Sequence, residues 1–234
     1  MQLGTVYLIP TVLFEDELHC IPDYVVDTIK NCEIFFTENE KTTRRFFKKL
    51  WKEMVIDNYQ WHTIHKTEQA VVTTFLQHLK DGKNVGIVSE AGCPGIADPG
   101  QILVEAAQQI NAIIKPLVGP SSILLALMAS GMNGQCFKFN GYLPIDAMER
   151  KKKIKALEME SLQQNCTQIF IETPYRNNQL INDVLSICNK QTKFCIAVNI
   201  TSAAEKISTK SIESWKKNIP DIHKQPAIYL LNAF

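Results

Sequence analysis

Residues 89–100 read Ser-Glu-Ala-Gly-Cys-Pro-Gly-Ile-Ala-Asp-Pro-Gly, between the apolar run Val85-Gly86-Ile87-Val88 and a helically spaced segment at 101–110. Three glycines and two prolines in so short a span exclude a regular element there and predict a rigid loop between a strand and a helix. Such a loop sits at the carboxyl end of a sheet, where open α/β proteins bind their ligands. Glycine lets backbone approach a ligand closely and adopt positive φ, and proline fixes the turns in advance.

The rest of the chain alternates in the same way. Strands are predicted at 3–9, 33–36, 85–88 and 113–117, and helices at 23–29, 42–52, 68–80, 101–111 and 121–130. Gly119-Pro120-Ser121-Ser122 is a second turn leading into a capped helix start. Around 137–144, Phe-Lys-Phe-Asn-Gly-Tyr-Leu-Pro reads as a junction between two halves. Beyond it come helix 150–163, strand 167–171, helix 178–187, strand 193–198, a short helix at 211–217 and a last strand at 227–231. The fold class is therefore α/β, with one domain at 1–117 and another at 118–234.

Bulk properties narrow the function. With 25 basic and 24 acidic side chains the net charge is +1, so no global field draws the chain towards nucleic acid or an anionic membrane. The longest apolar stretches fall short of the roughly 20 residues needed to cross a bilayer, which predicts no membrane helix. The amino terminus lacks a basic leader region and reads as a first strand, which predicts a cytoplasmic protein. Seven cysteines at scattered positions, without a Cys-x-x-Cys pair, fit neither a disulfide framework nor a zinc site and read as buried thiols. His62 and His65 flank two residues beside Trp61, but no further ligands cluster near them, so no metal is expected.

The loop 89–100 and the turn 119–122 lie at successive strand ends, so their amides and hydroxyls can face one crevice. Either one taken alone is equally compatible with a purely structural turn. No glycine-rich fingerprint follows the first strand and no Gly-x-x-x-x-Gly-Lys-Ser/Thr motif is present, which argues against nicotinamide nucleotides and nucleoside triphosphates. Basic groups at Arg44, Arg45, Lys48, Lys49 and Lys52, and at 150–155, suit either a solvated helix face or contact with RNA phosphates.

Five segments in order carry a resemblance: Pro10-Thr11 after the first strand, the loop 89–100, Gly119-Pro120-Ser121-Ser122, Gly141-Tyr142-Leu143-Pro144 and Glu172-Thr173-Pro174-Tyr175-Arg176. Together they resemble the tetrapyrrole methylase superfamily, and within it the ribosomal RNA small-subunit 2′-O-methyltransferase I family. The resemblance implies two α/β domains with S-adenosylmethionine in the cleft between them, and a homodimer. It implies that Pro10, Glu90, Ala91, Gly92 and Ile96 line the cofactor from the first domain. Ser121 and Ser122 would contact it from the second turn. Ile171, Glu172, Thr173, Asn199, Ile200, Pro226 and Ala227 would close it from the other domain. The implied partner is ribosomal RNA or the small ribosomal subunit. A hydroxyl acceptor needs a base, and Glu172 and Glu38 are the first acids to test, with a positioning role as the alternative for each.

The chain also departs from that family. Pro10-Thr11-Val12-Leu13-Phe14-Glu15-Asp16 lacks the family's Gly-Asn element, Glu38-Asn39-Glu40-Lys41 stands for Glu-Asp-Thr-Arg, and Asn199-Ile200-Thr201-Ser202-Ala203 stands for Arg-Glu-Leu-Thr-Lys. Lys224-Gln225-Pro226 replaces Lys-Gly-Glu. A bidentate guanidinium is thus missing at two places where it would grip a carboxylate or phosphate. Three readings follow: an RNA 2′-hydroxyl methyltransferase, a methyltransferase for a small molecule such as a tetrapyrrole, and a cofactor-binding protein without catalysis.

Overall fold

The computed structural model describes residues 2–64 and 69–234, and the chain divides into two compact units, Met1–Ser121 and Ser122–Phe234. The first unit runs β1 (Val6–Ile9), α1 (Tyr24–Lys30), β2 (Ile34–Thr37), α2 (Glu40–Leu50), β3 (Gln60–Thr63), α3 (Gln69–Lys80), β4 (Val85–Val88), α4 (Gln101–Gln109) and β5 (Ile114–Pro116). Its five strands are all parallel, in the order β3-β2-β4-β1-β5. Strands covered on both faces have no polar side to show, which is why Ile-Phe-Phe-Thr of β2 and Val-Gly-Ile-Val of β4 are buried throughout.

Two apolar clusters flank this sheet. Val25, Ile29, Phe46 and Phe47 of α1 and α2 pack with Ile9, Phe35 and Val88. Phe75, Leu79, Leu103 and Ala107 of α3 and α4 pack with Val6, Phe36 and Ile87. The neighbouring strands β1 and β4 therefore send their chains to opposite faces, which makes the region outside their carboxyl ends the switch point where such sheets hold ligands. The segment 117–121 stays with this unit through Leu117 N–H to Leu8 O (3.1 Å) and Val118 N–H to the Tyr24 hydroxyl (2.7 Å).

β3 is not expected from the sequence. Gln60-Trp61-His62-Thr63 is an edge strand of partly buried side chains whose polar content hides its pairing with β2. His62 stacks on Phe36 with ring centroids 4.7 Å apart, and its Nε2 lies 3.3 Å from Nε2 of His78. His65 and Glu68 lie outside the described residues.

One ring of the His62–His78 pair must be unprotonated to accept the other's N–H. Burial lowers the pKa of His62 against the opposing charge of Glu40. Burial lowers that of His78 too, helped by His62 and Lys83 and opposed by Asp81 and Glu33. The folded chain therefore binds fewer protons than the unfolded chain just below the ordinary value of 6.5, so stability rises with pH in that window. The urea midpoint is expected to rise from about pH 5 to about pH 7, and His78→Gln to flatten the rise. A midpoint that falls over that range contradicts this account.

The second unit runs α5 (Ser122–Ser130), β6 (Phe137–Tyr142), α6 (Ala147–Gln164), β7 (Thr167–Ile171), α7 (Asn177–Ile187), β8 (Lys193–Val198), β9 (Lys206–Ser211), α8 (Ile212–Lys217) and β10 (Ala227–Asn232). Its sheet is mixed, in the order β6-β7-β10-β8-β9. Only the β6–β7 pair is parallel. Phe170, Tyr229 and Phe194 stack through the middle of three strands at 5.9 Å spacings.

Both edges differ from the sequence reading. The 137–144 segment is an edge strand rather than a bare junction, since Phe137 and Phe139 pair opposite Thr167 and Ile169 while Lys138 and Asn140 break up the apolar signal. Lys206-Ile-Ser-Thr-Lys-Ser forms β9, its lysines and serines blunting an edge that would otherwise invite another chain. Helix α6 begins three residues before the expected position because Asp146 accepts the amides of Met148 and Glu149.

Arg150 of α6 is 1 % exposed. Its Nε donates to Asp183 Oδ2 (2.8 Å), Nη2 lies 2.6 Å from the same oxygen, and Nη1 donates to the carbonyls of Pro144 and Ile145. One buried side chain thus ties α6, α7 and the end of the Gly-Tyr-Leu-Pro segment together. Of the seven free cysteines, Cys32, Cys166, Cys188 and Cys195 are buried, while Cys20, Cys93 and Cys136 are half-buried. Among the described residues, no helix is long and apolar enough to cross a membrane.

Candidate functional site

In the first unit, three connections meet beyond the carboxyl ends of β1, β4 and β5. The Thr11 amide donates to the Gly92 carbonyl (2.9 Å), forming an isolated antiparallel bridge between the first connection and the featured loop. The Cys93 thiol reaches the carbonyls of Pro120 (3.5 Å) and Gly119 (3.7 Å), which ties that loop to the turn after β5. Gly92 has φ +75°, and a Cβ there would stand 3.2 Å from the Pro120 carbonyl oxygen. A Cβ on Gly119 would stand 2.1 Å from Cβ of Pro10. Only glycine lets these backbones meet.

The loop is wired internally as well. Ser89 Oγ donates to the Gly92 carbonyl, and Asp98 Oδ1 accepts the amides of Gly95 (2.9 Å) and Gly100 (2.8 Å). Burial raises the Asp98 pKa, and these two amides work against the rise. Asp98 is a residue whose role sequence reasoning missed, although Asp before Pro-Gly signals a side chain bonding its own turn.

Glu38 Oε1 accepts the Glu90 amide at 2.9 Å, and the Thr42 hydroxyl donates to Glu90 Oε1 at 2.5 Å. Asn39 caps α2 by accepting the amides of Lys41 and Thr42, so the departure at 38–41 keeps its local structural purpose. A cavity of about 220 Å³ opens here, with Thr11, Leu13, Thr42, Phe46, Ser89 and Glu90 in its wall. The Thr11 hydroxyl in that wall is buried and has no hydrogen-bond partner. At the rim, Lys49 pairs with Asp16 (2.5 Å) and Glu15 (3.1 Å), so the basic face of α2 is partly neutralised by two acids of the segment that lacks the Gly-Asn element.

Of the expected first-unit residues, Pro10 and Gly92 are buried at the meeting of the connections, and Glu90 and Ala91 line the cavity. Ile96 is exposed on the loop, and Ser121 is half-buried. Glu38→Gln is expected to weaken any ligand gripped by 89–92 by roughly tenfold, because a charge-assisted bond fixing the loop becomes a neutral one. Titration calorimetry on the variant checks this, and unchanged affinity would assign Glu38 no part in loop positioning.

In the second unit, the expected residues gather at one end of the sheet. Ile171 ends β7 with Glu172 and Thr173 just after it, Asn199 and Ile200 follow β8, and Pro226 stands just before Ala227, which opens the antiparallel β10. The Asn199 amide donates to the Pro226 carbonyl (3.0 Å), and its side chain donates to Gln225 Oε1 (2.9 Å). Ser122 opens α5 in the same unit.

Glu172 is nearly closed off, with a side chain 1 % exposed. Its Oε1 accepts the Thr173 amide and both Nε (2.9 Å) and Nη2 (2.5 Å) of Arg176, while Oε2 is buried without a partner. Burial, and then the Glu172 charge, push the Tyr229 phenol above its ordinary pKa, so it stays neutral. The 199–203 turn is tight, with Asn199 at φ +51°, which asparagine adopts readily, and the β-branched Thr201 at φ +75°, which such a residue adopts only when its surroundings impose it. Among the described residues, no cluster of three or more His, Cys, Asp or Glu side chains could hold a metal ion.

The sequence profile of the tetrapyrrole (corrin/porphyrin) methylases matches residues 24–215. The chain belongs to that family. Among curated relatives, it is 30% identical over 186 residues to the ribosomal RNA small subunit methyltransferase I of Bacillus subtilis (strain 168), covering 80% of this chain and 60% of that protein. It is 30% identical over 233 residues to the protein of the same name from Buchnera aphidicola, covering 98% of this chain and 78% of that one. This family member therefore spans less than two thirds of the length of the Bacillus relative. Among solved structures, the methyltransferase CobJ matches with a TM-score of 0.63 at 14% identity, over 100% of this chain and 95% of that one. The uroporphyrin-III C-methyl transferase from Thermus thermophilus complexed with S-adenyl homocysteine gives 0.57 at 11% identity, over 98% and 97%. At such identities the likeness is one of fold, and this chain is a divergent member of the methylase family.

Proposed function

We propose that this protein is an S-adenosylmethionine-dependent methyltransferase whose acceptor is a ribose 2′-hydroxyl of small-subunit ribosomal RNA. The observation that carries the reading is the meeting of the Pro10, Gly92 and Gly119 backbones at the switch point of the first sheet in a chain of the methylase family. The residues there fit such a cofactor. Glycines leave backbone approachable, the Thr11 hydroxyl lacks a partner, and Ile96 and Val118 expose apolar side chains, at 54% and 69%, on the loops concerned. When bound, the cofactor supplies an electrophilic methyl group on a sulfonium centre.

The chain's own residues then have to bind, orient and deprotonate. In-line displacement needs the acceptor oxygen held about 3–3.5 Å from the methyl carbon, and no covalent enzyme intermediate. Glu38 and Glu172 act by positioning: Glu38 fixes the Glu90 amide, and Glu172 with Arg176 fixes the end of β7. Glu90, exposed in the cavity wall with one oxygen on Thr42, is in this reading the base that takes the hydroxyl proton. Asn199, Ile200, Pro226 and Ala227, at one end of the second unit's sheet, are retained as candidate cofactor contacts. The same reading carries a homodimer and a cytoplasmic location.

Small ribosomal subunits from a strain lacking its own 2′-O-methylases, incubated with the protein and methyl-labelled donor, test the acceptor. Label retained on a ribose after digestion to nucleosides is the expected result. A protein that binds the donor yet leaves the subunits unlabelled would overturn the acceptor, and label passing instead to a tetrapyrrole would reassign it.

A further inference from the structure

Cys136 and Cys166 stand directly before the first paired residues of β6 and β7, Phe137 opposite Thr167. In a parallel ladder, residues opposite one another point to the same face, with strands about 4.8 Å apart. That spacing falls within the range a disulfide spans between Cα atoms, about 4.4–6.8 Å. The Cys166 thiol donates to the Thr167 carbonyl (3.8 Å), and Cys136 is among the neighbours that raise its pKa. The backbone around them is already fixed: Thr167 N–H donates to the Cys136 carbonyl (2.9 Å), Asn133 Nδ2 to the Asn165 carbonyl (2.6 Å), and the Thr167 hydroxyl to the Asn133 carbonyl (2.9 Å). Asn133 Oδ1 also accepts the Cys136 amide at 3.3 Å.

We propose that Cys136 and Cys166 form a reversible redox pair, a modification site that closes into a disulfide under peroxide without moving the backbone. The half-buried Cys136 meets the oxidant first and Cys166, at 4 % exposure, resolves it. Hydrogen peroxide transfers one oxygen to the Cys136 sulfur, giving the sulfenic acid and one water. The Cys166 sulfur then displaces hydroxide from that sulfur, forming the S–S bond, and hydroxide leaves with the Cys166 proton as a second water. Both sulfurs are oxidised, the peroxide O–O bond is reduced, and a dithiol reductant reverses the step. Burial first, and then the Cys136 contact and Glu160, push the Cys166 thiol up to about 11, so the resolving step is slow. Lys138, paired with Glu160 at 2.8 Å, opposes that rise.

The bridge ties the edge strand β6 to β7 and closes the loop that carries α6. Its formation restricts the unfolded chain and raises the thermal midpoint in the absence of reductant. The reading is independent of the methyl acceptor.

The experiment treats the full chain with a small excess of hydrogen peroxide, counts thiols after denaturation, and maps the peptides by mass. The count is expected to fall from the seven of the reduced chain by two, with a Cys136–Cys166 peptide that dithiothreitol releases. Cys136→Ser and, separately, Cys166→Ala abolish the loss of two thiols, while Cys20→Ser leaves it intact. An unchanged count, a bridge joining other cysteines, or Cys136 accumulating as sulfinic acid beside a free Cys166 thiol would overturn the proposal.

Discussion

Asp183→Ala is expected to destabilise the second unit by about 3–5 kcal/mol, because it leaves the Arg150 guanidinium buried without its carboxylate. Arg150 is 1 % exposed, and its Nε and Nη2 both turn to Asp183 Oδ2. Lys151, 3.5 Å from Oδ1 and itself exposed, loses little by comparison. Removing both partners has a different outcome. Arg150→Met with Asp183→Leu replaces a desolvated pair by apolar volume, and the double variant is expected to unfold within about 1 kcal/mol of the parent or above it. Urea unfolding of the two variants separates these cases. A single variant costing under about 1 kcal/mol would mean that water reaches the guanidinium.

Gly119→Ala is expected to weaken cofactor binding with a smaller change in stability. The new Cβ would stand 2.1 Å from Cβ and 2.5 Å from Cγ of Pro10, so one of two connections at the site must move. Overpacking of this kind costs about 1–3 kcal/mol, and the displacement carries the Gly119 and Pro120 carbonyls away from the Cys93 thiol. Affinity for S-adenosylhomocysteine should fall by at least tenfold, roughly 1.4 kcal/mol. Gly134→Ala, whose Cβ would meet nothing within 4 Å, should change stability by less than about 0.5 kcal/mol. Equal affinity in the Gly119 variant and the parent would dissociate the turn after β5 from the site.

Much of this architecture was legible because the signals were local. The loop 89–100 announces itself by glycine and proline, β4 coincides with its apolar run, and β7 and β8 have the expected bounds around the apolar residues 169–171 and 194–198. The edge strand β5 was legible, but the edge strands β3, β6 and β9 were not. β3 is led by Gln60 and holds His62, and β9 carries two lysines and two serines. An edge strand needs only one buried face, and its polar residues blur the two-residue alternation that identifies strands.

At the site, the residue types were legible and their pairings were not. Glu38 was recognised as an acid near the site, but its bond to the Glu90 amide spans 52 positions of sequence and follows from β2 and β4 being neighbours in the sheet. Arg176, in the quoted Glu172-Thr173-Pro174-Tyr175-Arg176 segment, supplies a guanidinium fork to Glu172. The missing guanidinium at 199 thus does not leave the second unit without one at this end of its sheet. The closed environment of Glu172 and the buried phenol of Tyr229 depend on the pairing of β7 with β10, which no local spacing reveals.

Calorimetric titration of the full chain with S-adenosylmethionine, and with S-adenosylhomocysteine, tests the methylase site most directly. Saturable binding of both at one molecule per chain, weakened in Gly119→Ala and retained in Gly134→Ala, is the predicted result. A folded protein that binds neither molecule would contradict it.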